Sequence, residues 1–182
     1  MKVPFVDLPE NVKKYKEEID RIVDDVILNR ADFIMRQDLI DFEKKFANFV
    51  GVKHAVGVAN GSDALNLSIK LLDIGPNDEV ITVSHTFVAT IAAIHHSGAT
   101  PILIDVADDY NMDVNKIEEA VTDKTKAIIP VHLNGRMCEM DPILEIAQKY
   151  NLHIIEDAAQ SMGAKYKGKI PAIVVRDVNR IG

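Results

Sequence analysis

Apolar residues recur along this chain with two different periods. Between positions 10 and 29, Val12, Tyr15, Ile19, Ile22, Val23 and Val26 stand at helical spacing among charged residues, which predicts an amphipathic surface helix over 10–29. A second helix is expected over 38–50, with Leu39, Phe42, Phe46 and Phe49 as its apolar face and Gly51 placed to end it in a left-handed cap. After Gly51 the pattern changes to five short runs rich in Val and Ile, at 54–59, 79–84, 100–106, 126–132 and 153–157, each reading as a buried strand. Helical segments are expected between them at 62–72, 86–97, 113–121 and 141–150.

Strands apolar on both faces that alternate with helices predict an α/β fold, a mainly parallel sheet flanked by helices. Ligands of such sheets gather at the carboxyl ends of the strands, so the polar residues just after each strand are the candidates for chemistry. The tail, 170–182, offers one more strand through Ile173, Val174 and Val175 with no helix after it, and the architecture reads as incomplete. The expected organisation is an N-terminal segment and surface helix over 1–35, a partial large domain over 36–169 and a divergent tail over 170–182.

Composition narrows the function classes. Hydrophobic residues make up 47% of the 182 and charged residues 27%, an ordinary globular balance. Basic residues number 21 against 28 acidic ones, a net charge of −7, which argues against binding of nucleic-acid phosphates. Cys138 is the lone cysteine, so no intrachain disulfide can form and a reducing compartment is expected. The start of the chain lacks the apolar core of a signal peptide, and no apolar run approaches the roughly 18 residues of a membrane span, so a cytoplasmic location is expected.

The residues after each strand carry the candidate chemistry. Asn60, Gly61, Ser62 and Asp63 follow the first run; Gly in the turn and Ser as a helix cap describe either a plain helix start or a cup of backbone N–H groups for a phosphate. Neither GxGxxG nor GK[ST] occurs there. After the second run come His85 and Phe87, the former a base or a scaffold histidine, the latter a core residue or a ring that stacks on a planar ligand. Asn134 follows the fourth run, as a ligand contact or as a turn residue ahead of Gly135.

Asp157 and Gln160 follow the fifth run. A carboxylate at the end of a buried strand is costly without a positive partner, so Asp157 either holds a protonated ring nitrogen, with Gln160 reaching another edge of the ring, or caps a helix starting at Ala158. The scattered histidines and the lone Cys138 do not have metal-ligand spacing, so no metal site is expected.

Taken in order, PFVDL, NGSDALNLSIKLL, GPNDEVITVSHTFVATIAAI, PVHLNGRMCEMDPI and LHIIEDAAQSMGAKYKGK resemble the DegT/StrS-type nucleotide-sugar aminotransferases, which use pyridoxal 5'-phosphate. The resemblance runs from Val3 to about Lys169 and implies the large domain of a pyridoxal-phosphate-dependent transferase fold. It implies that Gly61, Ser62 and Asp63 bind the phosphate of pyridoxal or pyridoxamine 5'-phosphate, that Phe87 stacks on the pyridine ring, that Asp157 pairs with the pyridinium nitrogen and that Gln160 reaches the phenolic side. His85 and Asn134 are the substrate-side candidates. The implied reaction moves an amino group, commonly from glutamate, to a nucleotide-linked keto-sugar, and the implied assembly is a homodimer or association with a full-length homologue.

Two departures from the family pattern bear on these expectations. Arg36 stands where related segments carry glycine, and no segment of the SFxPxKN type, which holds the Schiff-base lysine, follows Lys165, Lys167 and Lys169. The small C-terminal domain is also expected to be absent. The sequence therefore predicts a cofactor cradle without a catalytic lysine, of impaired turnover and uncertain cofactor retention, the alternative being a non-catalytic dimerising or regulatory remnant.

Overall fold

The computed structural model describes residues 6–31, 33–34 and 37–170 and the backbone of 175–176; Arg36, Ile173 and Val174 lie outside the described residues. The chain forms two compact units, Met1–Lys45 and Phe46–Gly182.

In the first unit the helix expected over 10–29 is three pieces: α1 (Leu8–Lys13), α2 (Lys16–Asp24) and a π-helical continuation, Asp25–Arg30. Asp7 starts α1 by accepting the Glu10 amide at 3.1 Å, and Pro9 sits in the first turn where its missing N–H costs nothing. Tyr15 leaves helical geometry between α1 and α2, which breaks the continuous helix that periodicity alone suggested. Its apolar stripe, including Val12, Ile19 and Ile22, is solvent-exposed. Helix α3 (Gln37–Val50) starts in this unit and ends in the next, where Gly51 takes the left-handed φ of 84° expected of its cap.

The second unit is built on a sheet of order β2-β1-β3-β4-β5. Strands β1 (Glu79–Val83), β2 (Thr100–Ile104), β3 (Thr125–Ile129) and β4 (His153–Ile155) are parallel, and β5 (Val175–Arg176) adds antiparallel to β4. Alternate side chains go to opposite layers, as the pleat requires. Ile81, Val83, Ile128 and Ile154 pack with Ile143 and Ala147 of α6 (Met140–Tyr150), whereas Val80, Ala127, Ile129 and Ile155 pack with Leu65 and Ile69 of α4 (Gly61–Leu71) and Ala93 and Ile94 of α5 (Val88–His96). Both faces of the sheet are thus covered at β1, β3 and β4, where burial on two sides explains the runs of Val and Ile, whereas the edge strand β2 is more exposed.

Two expected elements differ. Residues 54–59 form no strand: Gly57 interrupts the run, and Val56 and Val58 are 79% and 41% exposed. Residues 113–121 form two short 3₁₀ turns, Val114–Lys116 and Glu118–Ala120, instead of a helix. The Asp113 side chain takes the Asn115 amide at 3.1 Å, a local bond that competes with helix continuation.

Candidate functional site at the carboxyl edge of the sheet

The chain steps from β1 outward to β2 and then crosses back to β3 on the other side of β1. That reversal opens a crevice between the carboxyl ends of β1 and β3, the place where open parallel sheets take ligands. Helix α5 begins directly after β1 at this edge. Helix α4 returns through a short connection to the start of β1, so it runs antiparallel to that strand and brings its N-terminus to the same edge.

Asp157 lies just past β4 and is 6% exposed. Its amide donates to the Pro130 carbonyl at 2.9 Å and its carbonyl accepts the His132 amide at 3.0 Å, extending the β3–β4 pairing by an isolated bridge between Val131 and Asp157. The carboxylate receives two neutral donors: the Thr90 hydroxyl at 2.9 Å on Oδ2 and the Ala159 amide at 3.2 Å on Oδ1. No helix starts at Ala158, so the capping alternative is replaced by a turn closed on Asp157 itself. Thr86 Oγ1 lies 3.0 Å from Thr90 Oγ1; since the single Thr90 proton goes to Asp157, Thr86 is the donor in that contact.

Phe87 precedes Thr90 by one turn and is the extended N-cap residue of α5, with its side chain 68% exposed. It is therefore not a core residue. Gln160, three residues after Asp157, accepts the Asn134 amide on Oε1 at 3.1 Å, which leaves its NH₂ group to donate. Asn134 and Gly135 are both left-handed, with φ of 52° and 81°, a tight turn that brings the Asn134 amide to Gln160. His85 meets Tyr110 edge to face, with ring centroids 6.3 Å apart.

At the start of α4 the cap is Asn60 rather than Ser62: Asn60 Oδ1 accepts the Asp63 amide at 2.9 Å. Gly61 and Ser62 then occupy the first turn, whose amides have no intrahelical acceptor, and the space above Gly61 is open, with nothing within 4 Å of where a Cβ would stand. The structure thus links Asp157 to the first turn of α5 and Gln160 to Asn134. Thr90 and Thr86 were missed in the sequence; the available signal was a threonine one turn after Phe87 in an otherwise apolar helix.

The donor set around Asp157 fits a cationic ring nitrogen. A buried carboxylate served, among the described residues, by a hydroxyl and an amide keeps lone pairs for a charged partner, and an open helix N-terminus at the same edge suits a phosphate. Among the described residues no group of three or more His, Cys, Asp or Glu is arranged to hold a metal ion, and no helix is long and apolar enough to cross a membrane.

The profile of the DegT/DnrJ/EryC1/StrS aminotransferase family matches residues 13–176. The chain belongs to this family. Among curated relatives, a dTDP-3-amino-3,6-dideoxy-alpha-D-galactopyranose transaminase of Aneurinibacillus thermoaerophilus is 48% identical over 92% of this chain and 46% of its own length. A protein of Geobacillus stearothermophilus named pleiotropic regulatory protein is 44% identical over 93% of this chain and 45% of its own. The crystal structure of DesV from S. venezuelae in complex with a ketimine intermediate superposes with a TM-score of 0.90 at 39% identity, covering 95% of this chain and 47% of that one. Like other family members matched, these proteins are about twice as long as the 182 residues here.

Proposed function

We propose that the carboxyl edge of this sheet holds pyridoxal or pyridoxamine 5'-phosphate and serves the transfer of an amino group, commonly from glutamate, to a nucleotide-linked keto-sugar. The observation that carries the reading is the buried Asp157 carboxylate, whose donors among the described residues are neutral, at the crevice of a family fold. When bound, the cofactor supplies an electron sink for the carbon that loses or gains a proton.

In this reading Asp157 keeps the pyridine nitrogen protonated, and Thr90 holds the carboxylate toward it. Phe87, already exposed at the start of α5, covers one face of the ring and excludes water there. The Gly61 and Ser62 amides with the Ser62 hydroxyl bind the phosphate, Asp63 fixing the turn through Asn60. Gln160 donates its NH₂ group to the phenolic side, while Asn134 and His85 flank the substrate. Lys165, Lys167 and Lys169 lie ahead of where the family's Schiff-base segment would stand, and Lys167 is paired with Asp141 on the surface. The assembly is a homodimer, or a pairing with a longer relative, in the cytoplasm.

The second reading is a non-catalytic dimerising or regulatory remnant that pairs with a full-length relative, and the name of the G. stearothermophilus relative favours its regulatory form. Absorbance titration with pyridoxal 5'-phosphate tests the site common to both. Saturable binding that Asp157→Asn weakens is expected; equal binding by parent and variant overturns the assignment of Asp157.

A further inference from the structure

Glu156 and Asp157 are consecutive, and their side chains leave the end of β4 on opposite faces. Asp157 meets Thr90 on the α5 side, whereas Glu156 meets His132 on the other, with its Oε2 3.1 Å from His132 Nε2. Glu156 and His132 are both fully buried. The Cys138 amide donates to His132 Nδ1 at 3.2 Å, so the ring proton resides on Nε2 and is donated to the Glu156 carboxylate. The same His132 binds Asp157 through its backbone, N–H to carbonyl, at 3.0 Å.

We propose that His132 and Glu156 form a positioning pair for Asp157. Among the described residues the ladder of β3 and β4 is continued beyond Ile155 by the Val131–Asp157 bridge. Rotation of the strand end about its axis would carry Asp157 away from α5, because neighbouring side chains point to opposite faces. The bond from His132 to Glu156 resists that rotation from the opposite face. The Cys138 amide fixes the ring that makes it, so the loop after β3 sets the direction of the Asp157 carboxylate without touching the ligand. The inference rests on the cofactor reading above only in what Asp157 is aimed at.

The test compares the full chain with Glu156→Leu, which removes the acceptor, and Glu156→Gln, whose amide oxygen still accepts from Nε2. In the parent, long-range ¹H–¹⁵N spectra are expected to show His132 protonated on Nε2 and bare on Nδ1, the state Glu156→Gln retains. A proton on Nδ1 in the parent overturns the pair whether or not any variant folds.

In Glu156→Leu, hydrogen exchange at the His132 and Asp157 amides should speed up about tenfold or more, the size of one lost charge-assisted hydrogen bond, with the β1 amides unchanged. Binding of pyridoxal 5'-phosphate should weaken by a similar factor and be largely restored in Glu156→Gln. Unchanged exchange at Asp157 in Glu156→Leu overturns the proposal. A parent that binds no pyridoxal 5'-phosphate overturns the cofactor reading instead, and the exchange comparison still decides the pair.

Discussion

Thr90 Oγ1 donates to Asp157 Oδ2 at 2.9 Å, across a sequence separation of 67 residues, and ties the first turn of α5 to the end of β4. Thr90 is fully buried, so the hydroxyl would not be there without a partner. Thr90→Val keeps the shape and leaves the buried carboxylate one donor short. The expected loss is about 1.5–3 kcal/mol of unfolding free energy, the range for a hydrogen bond to a charged group, with weaker binding of pyridoxal 5'-phosphate. Urea denaturation and absorbance titration measure the two effects, and Thr90→Ser, which keeps the hydroxyl, should recover most of both.

Gly98 joins α5 to β2 with φ at 87°, and a Cβ there would lie 3.0 Å from Pro76 Cγ and 3.2 Å from its Cδ. The proline ring cannot swing aside as a long side chain could. Gly98→Ala therefore combines left-handed strain with a close contact, and a loss of about 1–3 kcal/mol is expected in chemical denaturation. Gly61→Ala is the matched control: its Cβ would meet nothing within 4 Å, and its effect on stability should stay within about 0.5 kcal/mol.

The layers were legible in the sequence because burial on both faces leaves a simple mark. Ile81, Ile128 and Ile154 face one layer while Val80, Ile129 and Ile155 face the other, and such runs have few competing readings. The run at 54–59 carries the same mark without a ladder, since a strand depends on a neighbour that composition does not reveal. Asp157 and Gln160 stood out as polar residues following a buried strand. Thr90 did not, because its partner is remote in sequence, and neither did the capping role of Asn60, which Ser62 shares chemically. His132 with Glu156 was hidden for a similar reason: the pairing depends on the parallel register of β3 and β4.

Cys138 is fully buried, and its Sγ donates to the Val131 carbonyl at 3.2 Å. Burial, as the largest cause, pushes its thiol up to about 12, so the thiolate that attacks disulfide reagents is scarce at neutral pH. The folded chain should therefore react with an aromatic disulfide reagent only at the rate of opening, and label fully in denaturant. Stoichiometric labelling within seconds under native conditions would show that the loop following β3 is open.

Glu118 accepts hydrogen bonds from Lys149 and from the Tyr150 hydroxyl, the latter at 2.7 Å. The bond from Lys149, then that from Tyr150, holds its carboxyl below the ordinary 4.5, and the same pairing raises Lys149 above its usual range. A carboxylate depressed by folding adds stability that is present above its unfolded value and lost as pH falls through its folded one; a raised lysine adds stability that is lost only as pH rises through its folded value. The acid-side loss thus belongs below pH 4.5, and the lysine's counterpart belongs to the alkaline limb. Because the groups are exposed, molar salt should shrink both effects. Carboxyl-detected NMR titration should place Glu118 below 4.5 in the parent and move it upward in Lys149→Met, and an unmoved value in that variant would show that the pair does not persist in solution.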